Sequence, residues 1–293
     1  MRDAEGRLLP DFIGIGPGRT GTTWLHRVLS GHVDLPNGIK ETGFFGPNFS
    51  KGMDWYASHF RHADGSRKLA EVSPYFTRPR ARERIKQYLP ECKLICTIRN
   101  PVDHAYSVYK LMRHYVWTRT SMEETLAQRP HLEEANQYAV NLRGWFDLFG
   151  RENVLVTRYD ELCDAPQVYL NRICDFVQIQ PIVIGQSLRR DDVNAFARAP
   201  RNRHLAQNAR HVLFWLRSHR AYRTANLMDR LGVWRYCFGG GEKFPPLSIE
   251  LERKLIAHWL PEVERLEAML GWDLSAWKKP RRAESESSAI AAA

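Results

Sequence analysis

The sequence predicts an α/β fold, a single domain with a central parallel sheet flanked by helices, and three observations carry that prediction. An apolar run at 12–15 (FIGI) enters a glycine-rich loop at 16–21 (GPGRTG), and apolar residues at helical spacing follow. A second apolar run, Lys93–Ile98, leads straight into Asn100 and Pro101. A third, at 154–156, comes after a helical stretch that ends near Gly150. Short buried strands that alternate with helices are the sequence form of a parallel sheet with helices packed on it.

Each element has its own local reason. After the first loop, Trp24, Leu25, Val28 and Leu29 recur at the spacing of one helix face. After the second strand, Asn100 is a good N-cap and Pro101 suits the first helical position, so a helix starts there. Asp103 then stands in the first turn, where negative charge is favoured. The second half reads as helical, with a mixed apolar and basic stretch at 205–231. An amphipathic one at 251–270 runs through Leu255, Leu260, Val263 and Leu266. The domain is expected to span 1–277. The tail at 278–293 is charged, then rich in Ser and Ala, and is expected to be disordered.

Composition narrows the class. The 293 residues are 43% hydrophobic and 26% charged, which is ordinary for a globular chain and ample for a core. No run of about 18 apolar residues occurs, so no membrane span is expected. Charges are scattered through the first ten residues, which argues against a signal peptide, and the initial Met argues for a complete chain. The five cysteines are odd in number and contain no C-x-x-C pair, which argues against a disulfide framework and against zinc. Reduced thiols fit the cytoplasm. The net charge of +10 suits nucleic acid, acidic glycans or a polyanionic nucleotide, and equally a soluble surface that is merely basic.

The segment from Gly16 to Thr23 nearly fits the phosphate-loop pattern G-x-x-x-x-G-K-[ST]. Gly16, Gly21 and Thr23 are in place, but Thr22 occupies the lysine position. Backbone N–H groups of such a loop and the following helix N-terminus hold phosphate oxygens. Without the lysine, ATP or GTP hydrolysis is disfavoured, and Arg19 supplies a cation from within the loop instead. Gly16, Gly18 and Gly21 also satisfy the dinucleotide pattern G-x-G-x-x-G, with Glu41 about 20 residues on. A lone glycine loop is also compatible with a plain turn.

A second motif sharpens the reading. Arg99 ends the second strand, and Ser107 follows eight residues later on the next helix. Together GPGRTGTTWL and IRNPVDHAYSVY resemble the two cofactor segments of PAPS-dependent sulfotransferases (PAPS is 3′-phosphoadenosine 5′-phosphosulfate). The resemblance covers roughly 11–277 and is stronger to heparan-sulfate-type and bacterial members than to small-molecule cytosolic ones. KGMDWY at 51–56, EVSPYF at 71–76 and VTRYDEL at 156–162 are further matching segments. The resemblance implies that Arg19, Thr20, Gly21, Thr22, Thr23 and Trp24 hold the 5′-phosphosulfate. It implies that Arg99 and Ser107 hold the 3′-phosphate. Tyr159 lies against adenine or serves as a core residue. Lys243, after the glycines at 239–241, closes over the 3′-phosphate or belongs to a mobile loop.

The resemblance also assigns the chemistry. PAPS is the donor, PAP (3′-phosphoadenosine 5′-phosphate) the product, and no metal is required. Lys40 and Glu41 open a K-E-x-x-F-F segment, which implies Glu41 as general base, with Arg19 and Lys40 as cations at the transferring group. Arg19 stands where most relatives carry Lys, and an arginine cannot hand over a proton. Val72 stands where heparan-sulfate-type members often carry a catalytic Lys, which weighs against a heparan-type polysaccharide as acceptor. His104 and His32 are fallback bases. The expected acceptor is a small-molecule or glycan hydroxyl: a carbohydrate, a glycolipid or a natural product. The arginine-rich stretch at 189–203 is either a solvated face or the lining of a cleft for anionic acceptors. A P-loop kinase is the alternative, disfavoured by Thr22. A nucleic-acid binder lacks a recognised motif. An NAD enzyme leaves Arg99 with Ser107, and Lys40 with Glu41, unexplained.

Overall fold

The computed structural model describes residues 3, 5–185 and 198–280. In chain order the first elements are β1 (Phe12–Gly16), α1 (Thr22–Leu29), α2 (Met53–Ala57), β2 (Ala70–Val72), α3 (Pro79–Tyr88) and β3 (Lys93–Ile98). Then come α4 (Pro101–His114), α5 (Met122–Gln128), α6 (Pro130–Glu134), α7 (Tyr138–Phe149), β4 (Val154–Arg158), α8 (Tyr159–Asp164) and α9 (Pro166–Val177). The last are β5 (Arg198–Pro200), α10 (Arg203–Ser218), α11 (Tyr222–Arg230), α12 (Val233–Phe238), β6 (Gly240–Lys243) and α13 (Ile249–Leu270). The chain divides into two compact units. One holds the described residues through Arg99 and those from Val140 to 185, and the other holds Asn100–Ala139 and those from 198 on.

The first unit carries a parallel sheet of order β2-β1-β3-β4, flanked by helices, as the sequence predicts. All of β1 and all but Lys93 of β3 are buried, the pattern of strands covered on both faces. Helix α1 lays Trp24, Leu25, Val28 and Leu29 on the sheet, where they meet Tyr169, Leu170 and Ile173 of α9. A second cluster is aromatic: Tyr56 stacks on Phe44 with centroids 4.5 Å apart, and Phe45 meets both Tyr56 and Tyr75 edge-on. The three-residue strand β2 is not legible as a strand, because it centres on a charged residue, Glu71, that is wholly buried.

The second unit is mainly helical. Asn100 caps α4, its Oδ1 accepting from the Val102 N–H at 2.9 Å, as its position before Pro101 predicts. Val102, Ala105 and Met112 of α4 form one core with Met122 and Leu126 of α5 and with Leu255 and Trp259 of α13. A separate core joins α10, α11 and α12 through Ala206, Ala209, Leu213, Ala225, Trp234 and Phe238. The stretch at 205–231 runs through α10 and α11, which part where Arg220 takes φ 58. The glycines at 239–241 read as a loop, but β6 pairs antiparallel with β5. Residues 189–197 of the arginine-rich stretch and 281–293 of the tail lie outside the described residues.

Candidate active site

The site begins where β1 ends. Gly16 turns the chain at φ 90, Arg19 takes φ 69, and Gly21 at φ 85 leads into α1. Thr20 is wholly buried and its Oγ1 donates to the Pro17 carbonyl at 2.7 Å, which fixes the loop from inside. Gly21 is required twice over. Its φ is left-handed, and a Cβ there would lie 2.4 Å from Leu162 Cδ2. Helix α1 has no side-chain cap and no acidic residue in its first turn. Its leading N–H groups therefore keep their capacity for an anion. Trp24 is buried and packs edge-on to Tyr169 at 5.8 Å, so it serves the core beneath the loop. Thr23 is exposed.

Lys40 and Glu41, neighbours in sequence, come together with the distant Thr22. The Lys40 Nζ donates to Thr22 Oγ1 at 3.1 Å and to Glu41 Oε1 at 2.7 Å. A cation thus reaches the loop at Thr22, the position that lacks the loop lysine. The segment after Glu41 is held by Glu71. Its Oε1 accepts from the Thr42 N–H at 3.1 Å, Thr42 Oγ1 at 2.5 Å, Ser73 Oγ at 2.5 Å and Tyr75 OH at 3.2 Å. Its Oε2 accepts from Tyr56 OH at 2.7 Å. A buried carboxylate is tolerated when its lone pairs are filled in this way. Burial, then the neighbouring carboxylate, pushes the Tyr56 and Tyr75 phenols up, so both remain donors. Phe44 and Phe45 drive the same segment into the aromatic cluster. Glu41 itself remains on the surface beside Lys40.

Sequence reasoning passed over two residues here. Glu71 was legible only as the start of a recurring segment; its five donors come from three stretches of chain. His26, one turn into α1, has a buried Nε2 with no hydrogen-bond partner. Burial, then the Lys40 charge, lowers its pKa to about 4. Val72, where a lysine was looked for, is buried in the sheet.

At the end of β3, Arg99 lays its guanidinium over the Tyr159 ring, 4.4 Å from the centroid. Its Nη1 makes a long contact to the Arg19 carbonyl at 3.4 Å, and its Nε is buried with no acceptor. A half-buried cation with a buried, orphaned donor fits an anionic group, the kind a nucleotide phosphate brings. Tyr159 opens α8 and belongs to the core, with burial raising its phenol pKa. One face of its ring is taken by Arg99. Both residues stand at carboxyl ends of parallel strands, where ligands bind open α/β sheets.

Ser107 and Lys243 belong to the second unit. Ser107 is buried on α4, and Lys243 is exposed on β6, in register with Arg198 of β5. His104 is buried, its Nδ1 2.8 Å from Asn136 Oδ1, the setting of a structural histidine. His32 is exposed, just past α1. Among the described residues no group of three or more His, Cys, Asp or Glu is placed to hold a metal ion. No helix among them is long and apolar enough to cross a membrane.

Comparisons with known proteins point to one family. The sulfotransferase domain family matches residues 9–197, well over half of the chain. Human bifunctional heparan sulfate N-deacetylase/N-sulfotransferase 2 is 29% identical over 213 residues, covering 64% of this chain and 24% of that protein. Membrane-associated sulfotransferase kil1 of Dictyostelium discoideum is 31% identical over 149 residues, 48% of this chain and 31% of that one. The chain thus spans less than a third of the length of these relatives. The crystal structure of a sulfotransferase from Alicyclobacillus acidocaldarius shares the fold at a TM-score of 0.67, with 23% identity over 93% of this chain and 100% of that one. A match of this extent, on this fold, decides the matter of kinship: the chain belongs to the sulfotransferase domain family.

Proposed function

We propose that the chain is a PAPS-dependent sulfotransferase that moves a sulfuryl group to an acceptor hydroxyl, with a catalytic domain spanning 1–277. The observation that carries this reading is the Lys40 ammonium shared between Thr22 on the phosphate loop and Glu41. It sets a cation and a candidate base one hydrogen bond apart, at the loop that would hold the donor's reactive end. PAPS supplies the sulfuryl group and departs as PAP.

The residues divide the work. The loop from Arg19 to Thr23, with the first turn of α1, holds the 5′-phosphosulfate. Arg99, with its orphaned Nε, holds the 3′-phosphate. On the sequence resemblance alone, Ser107 and Lys243 are assigned the same phosphate. Glu41 takes the acceptor's hydroxyl proton as the new S–O bond forms opposite the breaking one. Lys40 and Arg19 stabilise charge gathering on the departing phosphate oxygen, which fixed cations do without reorganising during the step. Glu71, through Thr42, holds the Lys40–Glu41 segment in place, which supplies positioning rather than chemistry.

The acceptor expected from the sequence is a carbohydrate, glycolipid or natural-product hydroxyl, and the expected compartment is the cytoplasm. Val72, buried in the sheet, offers no cation toward a heparan-type polymer. Relatives that are heparan sulfate N-deacetylase/N-sulfotransferases add an amino-sugar nitrogen to the acceptors worth testing. The test is PAP release from PAPS by the purified chain, with acceptor panels of sugars, amino sugars, glycolipids and polyketide-like alcohols, in the presence and absence of magnesium. Acceptor-dependent PAP release without magnesium is expected. Release of phosphate from ATP in place of PAP release from PAPS would contradict the reading.

A further inference from the structure

The stretch of the second unit that holds β5 and helices α10, α11 and α12 is strongly basic. Residues 198–238 contain nine arginines and a single acidic residue, Asp229, against a surplus of +10 for the whole protein. Arg198, Arg201 and Arg210 donate to the backbone carbonyls of Gly241, Gly240 and Tyr115. A carbonyl fixes a guanidinium without neutralising it. The same helices leave large apolar side chains in water: Trp215 is 59% exposed, Leu231 71% and Tyr236 77%. Their inner sides are already spent on the core of Ala206, Ala209, Leu213 and Trp234. Leu205, Val212 and Trp215 fall along one side of α10, at intervals of seven and three residues. This side is offset from the buried stripe, and Leu227 of α11 and Leu231 just after it are exposed as well.

We propose that the outer side of α10–α12 is a docking surface for an anionic lipid bilayer. The inference is independent of the sulfuryl-transfer reading. Two features select the occupant. Clustered arginines attract acidic headgroups, each adding to the partition and each screened by salt. Exposed Trp, Leu and Tyr gain by entering the boundary between headgroups and acyl chains, the composition of an interfacial amphipathic helix. A polyanionic glycan would use the arginines and leave Leu227 and Leu231 in water. A second copy of the same surface would bring one arginine cluster against another.

The test is co-sedimentation of the full chain with vesicles of phosphatidylcholine alone and of phosphatidylcholine with about a quarter phosphatidylglycerol, near physiological ionic strength. Binding to the anionic vesicles at least about tenfold above the neutral ones is expected. The double variant Trp215→Ser, Leu231→Ser should lose about tenfold or more of that binding. Its thermal melt and its elution from immobilised heparin should be unchanged. Arg217→Glu with Arg230→Glu reports separately on charge and should also weaken vesicle binding. Equal binding to both vesicle types, or binding undiminished in the apolar double variant, overturns the proposal and marks the surface as a general polyanion site.

Discussion

The two units use positive charge in opposite ways. In the first, few cations matter and each is placed by a buried scaffold. Lys40 is pinned between Thr22 and Glu41, and Arg99 rests on Tyr159 with one donor unspent. In the second, nine arginines crowd residues 198–238, six of them on α10–α12, around a small core. Fixed single charges stabilise one developing charge at one place, whereas a crowd of exposed charges acts as a field. The difference teaches where single substitutions should matter and where they should not.

The sharpest way to break the comparison is at Glu41. Glu41→Gln should lower kcat by about 10²–10⁴-fold while PAP binding stays within a few-fold, as removal of a general base does. Steady-state turnover beside calorimetric PAP binding decides it, and a fully active variant would remove Glu41 from the mechanism. Next is Lys40→Ala, expected to cost about 10²–10³-fold in kcat as a lost transition-state cation. Lys40→Arg should restore only part, because the reach to Thr22 Oγ1 changes. Arg99→Ala should weaken PAP by about 10–100-fold and AMP by much less, the loss of charge-assisted bonds to one phosphate. Equal losses for both nucleotides would sink that assignment.

Smaller effects sharpen the picture. Gly21→Ala should destabilise the fold by about 1–3 kcal/mol, from its left-handed φ and the 2.4 Å approach to Leu162, read as a lowered Tm. His26 gives a pH signature. Its folded pKa of about 4 lies below the ordinary histidine value of 6.5, so the unfolded chain binds the extra proton first. The stability that His26 contributes is complete above about pH 6.5 and is lost as pH falls toward 4. Thermal melts across that window should fall more steeply for the native chain than for His26→Phe. Least of all, any single Arg→Ala on α10–α12 should change anionic-vesicle binding by only a few-fold, since about 1 kcal/mol per charge is the usual contribution.

What the sequence made legible is what short stretches encode. The glycine loop after β1, the strand Lys93–Ile98 and the Asn100 cap before Pro101 all stand where local spacing predicts them. The buried face of α1 was readable from four residues at helical intervals. Contacts between distant segments were not readable. The Lys40–Thr22 bond joins residues 18 apart, and Glu71 gathers donors from as far as Thr42, 29 positions away. A buried glutamate in a three-residue strand carries no periodic signal, and its charge reads as surface. His26 looks like any polar residue on an amphipathic helix until Lys40 and the loop pack around it. Gly240 and Gly241 suggest a loop because glycine weakens strands. A Cβ on Gly241 would lie 2.5 Å from the Ala199 carbonyl, so close pairing with β5 asks for glycine there.

The first unit's cradle is expected to recognise a nucleotide with phosphates at two positions of its ribose. Calorimetric titration of the native chain with PAP, AMP and NAD, without magnesium, measures this. The account predicts that PAP binds at least about tenfold more tightly than AMP, a difference of about 1.4 kcal/mol or more that comes from the 3′-phosphate. Equal affinity for all three nucleotides, or binding that appears only with magnesium, would contradict it.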